Sequence, residues 1–171
     1  MPLFKKMILP AVVFITGGCV LILEVTATRV LAPYFGNTIY TVSSIIGVIL
    51  LALSLGYYGG GKLADSRPES SWFYGIIFLS GLSVIILELI IILILPALGD
   101  SLSLIYGPLI VSLILFFLPA LLLGALSPYA IKLQSLVWPE TGVGSVSGLI
   151  FFLVNLWFNC RQPFDRFCVN S

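Results

Sequence analysis

Four stretches of this chain, residues 7–32, 39–60, 72–96 and 107–131, are apolar almost without interruption. A helix needs about 20 such residues to cross the hydrocarbon core of a bilayer. Inside that core no water is at hand to bond the backbone, so each segment must satisfy its own N–H and C=O groups, as a helix does. The expected fold is therefore all-α, a polytopic bundle of transmembrane helices. A fifth stretch, 143–158, is marginal for a span. Sixty per cent of the 171 residues are apolar and 9 per cent charged, against roughly 25 per cent charged in a soluble domain.

The first run invites a second reading, because Lys5 and Lys6 precede it and GGC at 17–19 faintly resembles a lipoprotein cleavage site. The apolar character continues well past Cys19, which favours a retained span over a cleaved leader.

Composition also removes whole classes of function. The net charge is +1 with no clustered Lys/Arg face, so nucleic acid is set aside as a partner. Cys19, Cys160 and Cys168 lack metal-site spacing and the chain has no histidine. Zinc sites and a histidine-based triad therefore cannot be assembled within it, and no metal or cofactor is expected.

Lys5 and Lys6 precede the first span, Lys62 and Arg67 lie between the second and third, and Lys132 follows the fourth. The opposite loops, around Asn37 and over 97–106, contain no Lys or Arg. Positive loops face the cytoplasm, so the expected topology places the N-terminus inside, with alternating antiparallel spans in the cell membrane. Lipid gives no hydrophobic reward for helix association, so small residues must permit close backbone approach. Ala52, Gly56 and Gly60 recur at this spacing on the second span, Ala120 and Gly124 on the fourth, and Gly144 and Gly148 on the fifth. They are read as packing seams, with backbone approach by a substrate as the alternative. Pro119 and Pro128 are expected to kink the fourth helix.

Three ionisable residues interrupt this apolar pattern. With the first helix running outward from Ile8, Glu24 lies about 9 Å beyond its midpoint and Arg29 about 7.5 Å further, at 1.5 Å per residue. Glu88, on another outward-running helix, falls in the same outer half. A charge at mid-bilayer costs at least about 2.5–3.5 kcal/mol, so such groups should face the bundle interior, find partners or reach water. Glu24 and Arg29 are about 140° apart round a helix and do not pair naturally. Arg29 is expected to snorkel outward or to reach Glu88. Glu24, Arg29 and Glu88 are the candidate intramembrane charge cluster, either a structural clamp or a site that neutralises an amine.

A second candidate lies in GYYGGGKLADSRP. Its triple glycine lacks the strand, helix and βαβ unit that a dinucleotide fingerprint needs. Gly61, Lys62, Asp65 and Arg67 instead resemble the cytoplasmic loop motif of major facilitator transporters, with the basic residues after the acidic position reduced to Arg67. Glycine would allow a tight turn, and Asp65 would cap or pair against a neighbouring helix terminus.

Taken together, LILEVTATRVLAPYFGNTIYTVSSIIGVILLALSLGYYGGGKLADSRP, FFLPALLLGALSPYAIKL and VGSVSGLIFFL resemble the N-terminal membrane region of membrane-bound spermidine synthase-like proteins. The resemblance runs from about residue 8 to Leu153; the block from Glu24 to Gly36 and the Ser127–Pro128 pair are its more specific parts. It implies a facilitator-like helical domain preceding a soluble aminopropyltransferase domain that acts in polyamine biosynthesis. The acidic amine-holding residues and glycine-rich nucleoside turn of that enzyme are not in this sequence. The expectation is a membrane domain, residues 1–158, that anchors the enzyme or handles a polyamine without catalysing anything itself. Expected partners are the lipid bilayer, a polyamine or related amine, and a second copy or a separate aminopropyltransferase. A facilitator-like transporter module and a purely structural anchor are the alternatives.

Residues 159–171 depart from the family pattern and from apolarity. Codons can be chosen for VNLWFNCRQPFDRFCVNS such that reading one base later yields STFGSIAGNLLTGFVLI, an uncharged sequence with small residues at helix-packing spacing. The polar tail is thus expected to reflect a frameshift that truncates the domain, with a natural short polar tail as the alternative.

Overall fold

The computed structural model describes residues 2–101, 103, 106–137, 148 and 152. Four α-helices fill most of these residues: α1 Pro2–Phe35, α2 Ile39–Ser66, α3 Ser70–Ser101 and α4 Gly107–Val137. Within them, Ala11–Phe35, Ile39–Ser66, Ser70–Leu93 and Gly107–Leu136 are long and apolar enough to cross a membrane. The chain is a helical bundle and a multi-pass membrane protein. The fifth stretch falls almost wholly outside the described residues; Gly148 and Phe152 are helical and exposed.

Local chemistry explains where the helices stop. Gly36 adopts φ +73° and its N–H bonds to the Ala32 carbonyl at 2.9 Å. That is the left-handed position at which glycine ends a helix with little steric cost. Two residues on, Thr38 caps α2: its backbone is extended and its Oγ1 accepts from the Thr41 N–H at 3.3 Å. At the other end, the Arg67 N–H bonds to the Leu63 carbonyl at 2.9 Å. Pro68 then follows, and it biases Arg67 away from helical geometry.

The triple glycine does not form the tight turn expected of Gly61. Gly59, Gly60 and Gly61 are all inside α2, and the turn comes at residues 67–69. Gly36 is the glycine with positive φ among the described residues. At membrane depth a helix keeps its backbone groups paired, which outweighs the cost of glycine in a helix.

Two clusters of buried side chains establish the alternation of the spans. One joins Leu31 and Phe35 late in α1 to Ile45 and Ile49 early in α2, Leu87 and Leu95 late in α3, and Val111 and Phe116 early in α4. The other joins Val13 early in α1 to Ala64 late in α2, Phe73 and Ile76 early in α3, and Leu126 and Tyr129 late in α4. Neighbouring helices are therefore antiparallel. Helix α4 packs against the other three, most extensively against α2, and is the most enclosed span; α3 is the least.

The α2–α4 contact has the expected small-residue seam. Ala52, Gly56, Gly60 and Ala64 are buried on one face of α2, four residues apart. A Cβ on Gly60 would lie 2.6 Å from the Ala125 Cα, and one on Gly56 would lie 3.1 Å from the Ala125 nitrogen. From the other side, a Cβ on Gly124 would lie 3.0 Å from the Leu53 carbonyl oxygen. Such backbone proximity leaves no room for a side chain, as small-residue packing in membranes requires. Around a Cβ built on Gly148 no atom lies within 4 Å, while Gly144 lies outside the described residues. Pro119 and Pro128 are both accommodated inside α4.

Candidate functional site

The α2–α3 turn is built against the last turns of α4. Tyr129 is fully buried, and its ring stacks on Phe73 of α3 with centroids 5.9 Å apart. Its hydroxyl donates to the backbone carbonyls of Arg67 and Glu69, the latter at 3.0 Å. These carbonyls are in the short connection between two helices, where the Arg67 carbonyl also accepts from the Glu69 N–H at 2.8 Å. A buried tyrosine brings an apolar ring and a polar tip, so Tyr129 packs the helices and bonds the turn at once.

Charged groups surround this buried bond. Lys132 Nζ donates to Asp65 Oδ1 at 2.7 Å, with both side chains substantially exposed. The Arg67 guanidinium lies 5.0 Å from the centroid of the Trp72 ring, within range of a cation–π contact. Lys62 is exposed and Gly61 is half-buried; a Cβ on Gly61 would come within 3.9 Å of the Pro128 side chain. The structure thus gathers the expected loop residues Gly61, Asp65 and Arg67 at one end of the bundle with Pro128, Tyr129 and Lys132. The Asp65–Lys132 contact also places these two charged positions at the same end, as the distribution of positive residues anticipates.

Tyr129, Glu69 and Trp72 were absent from the candidate residues read from the sequence. A signal for Tyr129 existed: a tyrosine near the end of an apolar helix needs a partner for its hydroxyl when buried. Its bond to backbone carbonyls across 60 residues of sequence leaves no mark in residue types, since any residue offers a carbonyl.

The intramembrane charges are arranged differently. Glu24 is half-buried, whereas Arg29 and Glu88 are exposed on the four-helix surface. No ion pair or hydrogen bond links the three side chains; the ion pair among the described residues is Asp65–Lys132. They nevertheless share one half of the bundle, because Leu23, Ala27 and Leu31 of α1 and Leu87 of α3 belong to the buried cluster at that end. Arg29 sits between Ala27 and Leu31, and Glu88 follows Leu87.

Buried hydroxyls inside the bundle are occupied locally. Thr16 bonds to the Val13 carbonyl at 3.0 Å, Ser80 to Ile77 at 2.8 Å, Ser83 to Ser80 at 2.7 Å and Ser112 to Pro108 at 2.5 Å. Such bonding back to the preceding turn satisfies the hydroxyl within its own helix. Among the described residues, no three His, Cys, Asp or Glu side chains gather where an ion could bind. No family model, curated protein or solved structure matches the chain.

Proposed function

We propose that the chain is the integral membrane domain of a spermidine synthase-like protein, seated in the cell membrane with its N-terminus in the cytoplasm. Its role is to hold an aminopropyltransferase at the membrane face, and it performs no catalysis itself. One observation carries this reading. Two blocks on which the resemblance rests, the loop motif and the segment around Ser127 and Pro128, lie far apart in sequence yet meet at one end of the bundle. There Tyr129 bonds to Arg67 and Glu69, and Lys132 pairs with Asp65. A shared packing requirement gives a physical reason for both blocks to accompany one another. It also produces a braced end on the side that positive charge assigns to the cytoplasm, where a soluble enzyme would have to sit.

Sequencing the DNA beyond the codon for Ser171 tests this directly. An aminopropyltransferase coding sequence in the same or an adjacent frame is expected. An uninterrupted stop at that point with no such sequence downstream removes the proposal.

A transporter module for a cationic amine is the second reading, favoured by the carboxylates of Glu24 and Glu88 in one half of the membrane without an ion pair among the described residues. Facilitator folds pair repeated three-helix units, so transport by this chain would require association. Purified chain in liposomes should then accumulate radiolabelled spermidine, and Glu24→Gln should abolish uptake while leaving folded protein. The anchor reading expects no uptake from either form.

A further inference from the structure

We infer that the exposed faces of α1 and α3 form a docking surface for a second copy of this chain, in which Arg29 of each copy pairs with Glu88 of the other. On α3, Phe78, Gly81, Ile85, Glu88 and Ile92 are exposed at alternating spacings of three and four residues, which places them along one face. On α1, Ile15, Cys19, Ile22, Arg29 and Pro33 form a comparable exposed stripe. A repeat averaging 3.5 residues is the pattern by which two helices stay in contact along their length. The cluster topology makes α1 and α3 parallel to one another, and the two helices are neighbours in the bundle.

Charge complementarity identifies the occupant. Each stripe carries one charged residue, the two have opposite sign, and both sit in the half of the bundle that holds Leu23, Ala27, Leu31 and Leu87. Neither has a partner among the described residues, although Glu88 lies within the span Ser70–Leu93 and Arg29 within Ala11–Phe35. A carboxylate facing acyl chains there is unfavourable, so it calls for a cation at the same depth. A twofold axis along the membrane normal provides one: α1 of each copy meets α3 of the other, and both charges are matched by one self-complementary patch. The surface belongs to the four helices themselves and does not depend on the family reading.

Complementary charge reversal tests this in liposomes of neutral lipid, using energy transfer between copies of the full chain labelled at the N-terminus. The native chain is expected to associate. Arg29→Glu alone and Glu88→Arg alone should each weaken association by about tenfold or more, as loss of a close charge pair does. An equal mixture of the two variants should recover it, because a mixed pair places opposite charges at both contacts. As a second measurement, copies carrying Arg29→Cys and copies carrying Glu88→Cys, with the native cysteines replaced by serine, should cross-link to one another in the membrane. Native energy transfer no greater than that of an unrelated membrane protein, a mixture no better than either variant alone, or absence of the mixed cross-link would each overturn the proposal.

Discussion

Lys132 and Asp65, 67 residues apart in sequence, are joined at 2.7 Å and tie the end of α4 to the end of α2. Because both side chains are well exposed, the pair contributes little to stability. Asp65→Asn should lower it by about 0.2–1 kcal/mol, the range for exposed ion pairs, and the loss should shrink in high salt. Unfolding of the purified chain in detergent at two ionic strengths measures both effects.

Neighbouring glycines in α2 should behave in opposite ways. Gly60 is held against the Ala125 backbone, whereas a Cβ on Gly59 would meet nothing within 4 Å. Gly60→Ala should destabilise the α2–α4 contact by about 1–3 kcal/mol, as overpacking does. Gly59→Ala should be neutral or stabilising by up to about 1 kcal/mol, since alanine favours the helix. Thermal unfolding of the two variants side by side separates them; equal effects would contradict the packing.

Tyr129→Phe retains the ring against Phe73 and removes the hydroxyl that bonds to Arg67 and Glu69. The expected loss is about 0.5–1.5 kcal/mol, the net worth of a hydrogen bond, because the Arg67 carbonyl keeps the Glu69 N–H at 2.8 Å. The turn at 67–69 should loosen, so a glutamate-specific protease should cut faster after Glu69 in the variant. An unchanged cleavage rate would mean that the turn is held by other contacts.

The topology can be checked by thiol labelling in a background where Cys19, Cys160 and Cys168 are serine. Lys62→Cys and Lys132→Cys should react from one membrane face, and Asn37→Cys from the other. The Asp65–Lys132 contact requires the first two positions to share a face. The positive residues predict that this face is cytoplasmic.

Much of the fold was legible in residue order alone. All four long spans are present, with helix ends that extend beyond several of the apolar limits: α2 runs on through Gly61, Lys62 and Asp65 to Ser66. The seam of Ala52, Gly56 and Gly60 against Ala120 and Gly124 was readable from spacing, because close approach admits few residue types. The charges were less legible. Depth follows from position along a helix, which is why Glu24, Arg29 and Glu88 fall in one half of the bundle, but rotation about the helix axis does not. Arg29 was expected to snorkel outward or to reach Glu88; both side chains are exposed, and no ion pair joins them among the described residues.

The sequence by itself determined how many described segments cross the membrane and that they alternate in direction, because bilayer thickness and the need to pair every backbone group admit few other solutions. Tertiary structure alone decided which face of each span is enclosed. It placed Gly60, and not the adjacent Gly59, against α4; it brought Tyr129 onto the α2–α3 turn and turned Glu88 outward on α3. Lipid is as apolar as a leucine side chain, so hydrophobicity does not distinguish a face that meets lipid from one that meets another helix. Rotation and register are left to packing contacts between residues far apart in the chain, where one carbonyl looks like any other until the helices are assembled.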